Sequence, residues 1–306
     1  MITGLAHCGY TVGQLEPAVA FFSQTLGVEH THMQVSDQPY LARVTGLPGT
    51  SLKVGFVQIE DDRLALELLD FVQPRGRPAG VGYGRPGTCY VGWAVDDLQV
   101  IYQRLRRQGV TFLAEPQPVD FGPWAGGLAT LLLGPDGILI ELIETMGSAG
   151  PQGRLKRVHH ITFTVNNLVA ALSFLRGGLG LAVVAQEAAD SAYARRIGGR
   201  ADGRLRAAYL TVPGSDCLLE VLAFDTPAGP PADSTLNNPG SVHCCLLVDD
   251  IQADYRALSQ YGARFAGPPV EVTAGVNRGA YAVHFGGPDN MRFELFQGPP
   301  TRLGGH

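Results

Sequence analysis

Hydrophobic and polar positions along this chain alternate between two periods. Short apolar runs rich in branched and aromatic residues, such as HITFTV, CLLEVLAF and MRFELFQ, carry single polar residues and are bounded by turn residues. They predict buried or half-buried strands. Between them lie stretches with apolar residues three and four apart, as in DDLQVIYQRLRRQG and DDIQADYRALSQYG, which predict amphipathic helices. Asp96 or Asp97, and Asp249 or Asp250, suit the helix N-caps, and Gly109 and Gly262 suit the helix ends. The segments GPDG and GPDN predict tight turns between the last two strands of each repeat. The whole reads as α+β, each quarter of the chain running strand, helix, then further strands.

The pattern occurs twice. His7 in HCGYTVGQL stands 153 positions before His160 in HITFTVNNL. Glu67 and Glu220, Tyr90 and His243, and Glu141 and Glu294 share that offset of 153. Four anchors at one offset define an internal duplication. We expect an N-terminal module over residues 1–148 and a C-terminal module over residues 154–300, joined by the seam MGSAGPQGRLKR. Each module divides again into two similar halves, with residues 225–240 as the linker inside the second.

Composition narrows the classes. Hydrophobic residues make up 45% of the 306 positions, enough for real cores. The 40 glycines and 21 prolines fit many short elements. A net charge of −5 without basic runs argues against nucleic acid or an acidic membrane as partner. Five cysteines without framework spacing fit a reducing cytoplasm. The start MITGLAHCGY reads as no signal peptide, and no apolar stretch is long enough to span a bilayer. P-loop, dinucleotide and nucleophile-elbow motifs are absent.

Glutamates inside CLLEVLAF and MRFELFQ need partners, because an unpaired buried carboxylate is costly. If the sheets curl around one cavity, His160, Glu220, His243 and Glu294 converge there. Two imidazoles and two carboxylates suit a divalent Zn, Ni, Mn or Fe(II) ion with room for substrate. The plainer alternative is four satisfied core residues.

These residues resemble the vicinal oxygen chelate superfamily, which includes glyoxalase I, methylmalonyl-CoA epimerase, extradiol dioxygenases and bleomycin-resistance proteins. The resemblance covers nearly the whole chain. It implies tandem paired βαβββ modules, four such motifs in two cup-shaped sheets, with metal ligands on the first and last strand of each half. Mapped by module, it implies a glyoxalase-like set of His160, Glu220, His243 and Glu294. A weaker set, His7, Glu67, Tyr90 and Glu141, is implied in the first module, where a neutral phenol replaces an imidazole. The first module is then a second site or a scaffold.

The implied chemistry is metal-assisted isomerisation, lyase or epimerase action on a small carbonyl compound through an enolate-like intermediate. Glu220 and Glu294 are implied as proton carriers. His284, in the strand AYAVHF, is a further acid/base candidate. Extradiol cleavage at Fe(II) by His160, His243 and Glu294 is the competing reading, although Glu220 stands where that class is usually not acidic. A metal-free binding protein is a third.

Arg206, within a loop cluster that includes Arg195, Arg196, Arg200 and Arg204, could receive an anionic substrate. Asn277 and Arg278 lie in a segment able to cover the cavity. His159 should face away from His160. Trp93 and Trp124 read as core or pocket wall. The expected partner is a small molecule, and the expected assembly a monomer or homodimer.

Overall fold

In the computed structural model, residues 1–59, 62–148, 150, 152–275 and 277–298 are described, and of Thr31 and His32 the backbone alone. The first quarter comprises β1 (Ile2–Thr11), α1 (Leu15–Ala20), β2 (Glu29–Ser36), α2 (Pro39–Thr45), β3 (Ser51–Gln58) and β4 (Ala65–Gln73). The second comprises β5 (Cys89–Val95), α3 (Leu98–Arg107), β6 (Gln117–Pro118), β7 (Leu128–Leu133) and β8 (Leu139–Glu144). The third comprises β9 (Leu155–Thr164), α4 (Leu168–Leu172), β10 (Ala182–Asp190), α5 (Ala192–Gly198), β11 (Arg204–Thr211) and β12 (Leu218–Phe224). The fourth comprises β13 (Val242–Val248), α6 (Ile251–Gln260), β14 (Arg264–Phe265), β15 (Val270–Glu271), β16 (Tyr281–Gly286) and β17 (Arg292–Gln297). This is the α+β architecture of four βαβββ motifs.

The helix signals act as the sequence implies. The Asp97 carboxylate accepts from the Val100 amide at 3.0 Å, and Asp250 from that of Ala253 at 2.9 Å. Each caps a helix whose apolar stripe is buried: Leu98, Ile101 and Leu105 on α3, Ile251 and Leu258 on α6. In the GPDG and GPDN turns, Asp136 and Asp289 take left-handed backbone angles of 56° and 49° in φ, a conformation Asp tolerates better than most residues.

The sheets are where module boundaries cease to matter. One curled sheet runs β14-β16-β17-β13-β1-β4-β3-β2, with β15 also on β16. The other runs β10-β11-β12-β9-β5-β8-β7-β6. The first half of each repeat therefore pairs with the second half of the other. The exchange is made by two antiparallel ladders, β1 on β13 and β5 on β9. Within each quarter, the first strand lies parallel to the last: β1 to β4, β5 to β8, β9 to β12 and β13 to β17. The crossing segments 74–88 and 225–241 brace one another. Ala79 donates its amide to the Pro239 carbonyl at 2.8 Å, and Arg77 meets Asp233 at 2.9 Å.

Alternation along the strands sorts residues between two environments. Cys8 and Tyr10 of β1, Trp93 of β5, Phe163 of β9 and Cys244 of β13 join the helices in one apolar core shared by both sheets. The opposite faces form two cups. One is filled by a single cluster that includes Tyr83, Tyr90, Phe121, Trp124, Tyr193 and Tyr209. The other is walled by two smaller clusters, one with Leu52, Val54 and Phe71, the other with Val272 and Phe296. It retains a cavity of about 100 Å³ between them. Among the described residues, no helix is long and apolar enough to cross a membrane. All five cysteines are free and buried.

Candidate metal centre

The strand exchange decides which of the repeated polar residues meet. His7 on β1, Glu67 on β4, His243 on β13 and Glu294 on β17 share the open cup. His160 on β9, Glu220 on β12, Tyr90 on β5 and Glu141 on β8 share the filled one. The expected set His160, Glu220, His243 and Glu294 does not assemble, because its first two members and its last two belong to different sheets. The same holds for the expected weaker set of His7, Glu67, Tyr90 and Glu141. Each cup instead takes two residues from each module.

In the open cup, His7 Nε2 lies 3.3 Å from both Glu67 Oε2 and Glu294 Oε2. His243 Nε2 lies 3.8 Å from Glu294 Oε2 and 4.0 Å from Glu67 Oε2. One donor atom each from His7, His243 and Glu294 falls within 4.8 Å of the others. Both Nε2 atoms are buried, and neither has a hydrogen-bond partner. Buried polar atoms are normally satisfied. Two imidazole nitrogens directed at the same two carboxylates, with no hydrogen bond formed, are the donor arrangement that a divalent ion would complete. On this observation the residues present fit a metal.

A fifth polar residue stands beside them. His284 lies opposite Glu294 in the β16–β17 register. Its Nε2 is 4.0 Å from Glu294 Oε1, and its ring packs edge-on to His243 at 4.8 Å between centroids. Its Nδ1 is also without a partner. Burial lowers the pKa of His284. Burial and the neighbouring His284 push His243 well below the ordinary imidazole value. Burial works against the charge on His7 too, but Cys245 and Glu67 beside it outweigh that and raise its pKa. Burial would raise Glu294 as well, yet the surrounding imidazoles of His284, His7 and His243 hold its carboxyl well below the usual range.

The filled cup has the opposite character. His160 Nε2 lies 2.8 Å from Glu141 Oε2, so its nitrogen is satisfied. Tyr193 donates its hydroxyl to the other oxygen of Glu141, and Thr162 donates to Glu220 at 2.7 Å. Trp124 stacks on the His160 ring at 4.6 Å and 19°. Burial raises the Glu220 carboxyl to about 7. Tyr90 is fully enclosed, and burial pushes its phenol well above the ordinary value. The group is a hydrogen-bonded plug.

Two local devices aim the histidines, and neither is visible in the apolar pattern. Ala6 is skipped in the β1–β13 register, between Leu5↔Leu246 and His7↔Cys245. His159 is skipped at the equivalent place, between Trp93↔Val158 and Gly92↔His160. Each is a β-bulge just before the histidine. It also corrects the expectation that His159 and His160 face apart, since their Nδ1 atoms are 3.0 Å from each other. The second device is glycine. A Cβ on Gly9 would sit 1.9 Å from His243 Cε1, and one on Gly92 would sit 2.1 Å from His160 Cε1. Each ring lies over a strand position that only glycine can occupy. A lone glycine in an apolar strand, as in HCGYTV and YVGWAV, was the available signal.

The remaining expected contacts divide. Asn277 lines the open cavity. Arg278 beside it is exposed and does not. Arg206 lies in the other sheet, where Leu205 and Ala207 turn into the filled cup and the arginine turns away, toward Asp225 at 4.0 Å. Its neighbours are likewise engaged locally, Arg204 with Asp202 and Arg195 with Asp190. Gln34, Ser36 and Tyr40, which the sequence did not single out, also line the cavity.

Two curled sheets built from four βαβββ motifs, with histidine and glutamate on the first and last strands of each quarter, define a class of fold and site. A family model described as the Glyoxalase/Bleomycin resistance protein/Dioxygenase superfamily matches residues 4–142 and 157–295, and the chain belongs to that superfamily. It is similar to a 2-epi-5-epi-valiolone epimerase from Actinomyces sp, at 29% identity over 152 residues, covering 47% of this chain and 80% of that protein. Among solved structures it resembles glyoxalase I from Zea mays, with a TM-score of 0.66 at 16% identity, covering 96% and 92% of the two chains. It also resembles a putative dioxygenase from Bacillus subtilis, with a TM-score of 0.62 at 16% identity, covering 98% and 86%. At such identities these two structures speak for the fold alone.

Proposed function

We propose that this chain is a metal-dependent isomerase, epimerase or lyase acting on a small carbonyl compound, with its reaction centre in the open cup. The observation that carries the reading is the pair of buried, partnerless Nε2 atoms of His7 and His243, directed at Glu67 and Glu294. These four residues would hold the ion. A divalent ion bound there would supply Lewis acidity to the substrate carbonyl, making the neighbouring carbon more acidic.

The proton is the work of the chain itself. His284 lines the cavity, is neutral because burial opposes its charge, and has a free Nδ1. It accepts the proton from the carbon next to the carbonyl and returns it. The Glu294 carboxylate, 4.0 Å from its Nε2, steadies the imidazolium formed in between. The apolar walls exclude water while the proton is held.

The test is metal content followed by exchange. Purified protein should hold about one equivalent of divalent ion, lost in His7→Ala and His243→Ala and kept in His160→Ala. Loss in His160→Ala, or no ion in the wild type under replete conditions, would overturn the reading. His284→Ala should keep the ion yet lose solvent-deuterium exchange at the carbon next to the carbonyl by about 100-fold or more.

One observation favours a second reading. His7, His243 and Glu294, with donor atoms all within 4.8 Å of one another, form a two-histidine, one-carboxylate group, a composition also suited to Fe(II) oxygenase chemistry. Glu67 as a fourth donor weighs against it. Oxygen consumption with catechols would decide for it.

A further inference from the structure

Among the described residues lining the open cavity, the only ionisable side chains besides tyrosine are His7, Glu67, His284 and Glu294, all at the candidate metal centre. Among the described residues, no lysine or arginine lines it. Lys53 stands on the other face of β3, 2.6 Å from Glu16, and Arg43 and Arg278 are exposed to solvent. The walls are Leu41, Val54, Leu69 and Phe71 on one side, and Val272 and Phe296 on the other. Half-buried polar groups, Gln34, Ser36, Tyr40 and Asn277, mark the entrance.

This lining sets terms for a ligand. An anionic group entering beyond the ligand set would shed water and find no counter-charge. A divalent ion held by Glu67 and Glu294 would have its charge offset by two carboxylates, so its pull on an anionic group lying beyond its own coordination positions would be weak. A cavity of about 100 Å³ is smaller than the roughly 150 Å³ apolar void that accepts a benzene ring, so it limits the apolar body to about one small ring.

We infer that the site takes an uncharged substrate with an apolar body about one ring in size. Anionic conjugates such as glutathione or acyl-CoA derivatives are excluded. This deepens the reading above and rests on its choice of the open cup.

The test uses two probes with the same ring and the same chelating oxygens. 4-Methylcatechol and 3,4-dihydroxybenzoate differ in a methyl against a carboxylate. Their affinities for the Co(II)-loaded full chain are measured by calorimetry under anaerobic conditions. The methyl compound should bind about tenfold more tightly or better, and S-hexylglutathione should not displace it. Equal or reversed affinities, displacement by the glutathione conjugate, or no binding of either probe at millimolar concentration would each overturn the inference.

Val54→Arg should bring the carboxylate probe level with or ahead of the methyl one. If that variant fails to fold, the wild-type comparison stands by itself. A protein that retains no Co(II) would sink the metal reading. The same titration of the metal-free chain would then decide the substrate class, by the same difference between probes.

Discussion

Glu220 and Glu294 occupy equivalent positions of the repeat but sit in opposite electrostatic settings. Burial lifts Glu220 to about 7, whereas the imidazoles around Glu294 overcome burial and hold it low. A consequence for stability follows at the filled cup. Between the ordinary glutamate value of 4.5 and about 7, the folded chain keeps a proton on Glu220 that the unfolded chain has released. The contribution of Glu220 to stability therefore falls as pH rises through that window. His160, raised above its ordinary 6.5, adds stability that is full below 6.5 and lost as pH climbs through its folded value, so it acts in the same direction. Glu220→Gln should flatten the decline by about 1–3 kcal/mol, read from urea midpoints between about pH 5 and 8. His243 and His284, held below the ordinary imidazole value, act in the opposite direction, so the difference between variant and wild type is the readout, and an unchanged pH slope in Glu220→Gln would refute the account. Tyr90→His should not create a second metal site, because Trp124 covers His160 and Tyr193 holds Glu141. It should instead cost about 1–3 kcal/mol from loosened packing, with metal content unchanged.

At the scale of the element, a bulge and a glycine turn an ordinary strand into a mount for imidazole. Gly9→Ala would drive a methyl into the His243 ring, so metal affinity should fall by at least about tenfold while the far cup stays intact. Gly92→Ala strikes the His160 ring and should lower stability with little effect on metal. Equal metal loss in both variants would mean that the glycines act through general destabilisation. Strands, helix caps and the Asp-containing turns were legible in the sequence, since each writes a local signature: alternation, a capping aspartate, a tight-turn motif. The bulges were not. One skipped residue barely disturbs a short apolar run, and the expectation for His159 failed on that point.

At the scale of the molecule, the candidate ligands were legible and their grouping was not. The 153-residue offset singles out His7, Glu67, His243 and Glu294 along with their counterparts. Pairing β1 with β5 or with β13 would use the same strands, the same faces and similar ladders, so periodicity does not separate the two. The crossing segments 74–88 and 225–241 are long enough to reach either sheet, and in the structure they carry the chain across. Because the exchange interlocks the two repeats, a protease site placed within 146–154 and cut should leave both pieces together through gel filtration, with the metal retained. Pieces that separate freely would contradict the β1–β13 and β5–β9 ladders. Were such cups made by two identical chains, a tyrosine at this strand position would blind both at once. Joined in one polypeptide, every ligand position is encoded twice and can change once. One cup can be sealed as a keystone while its twin stays open for chemistry.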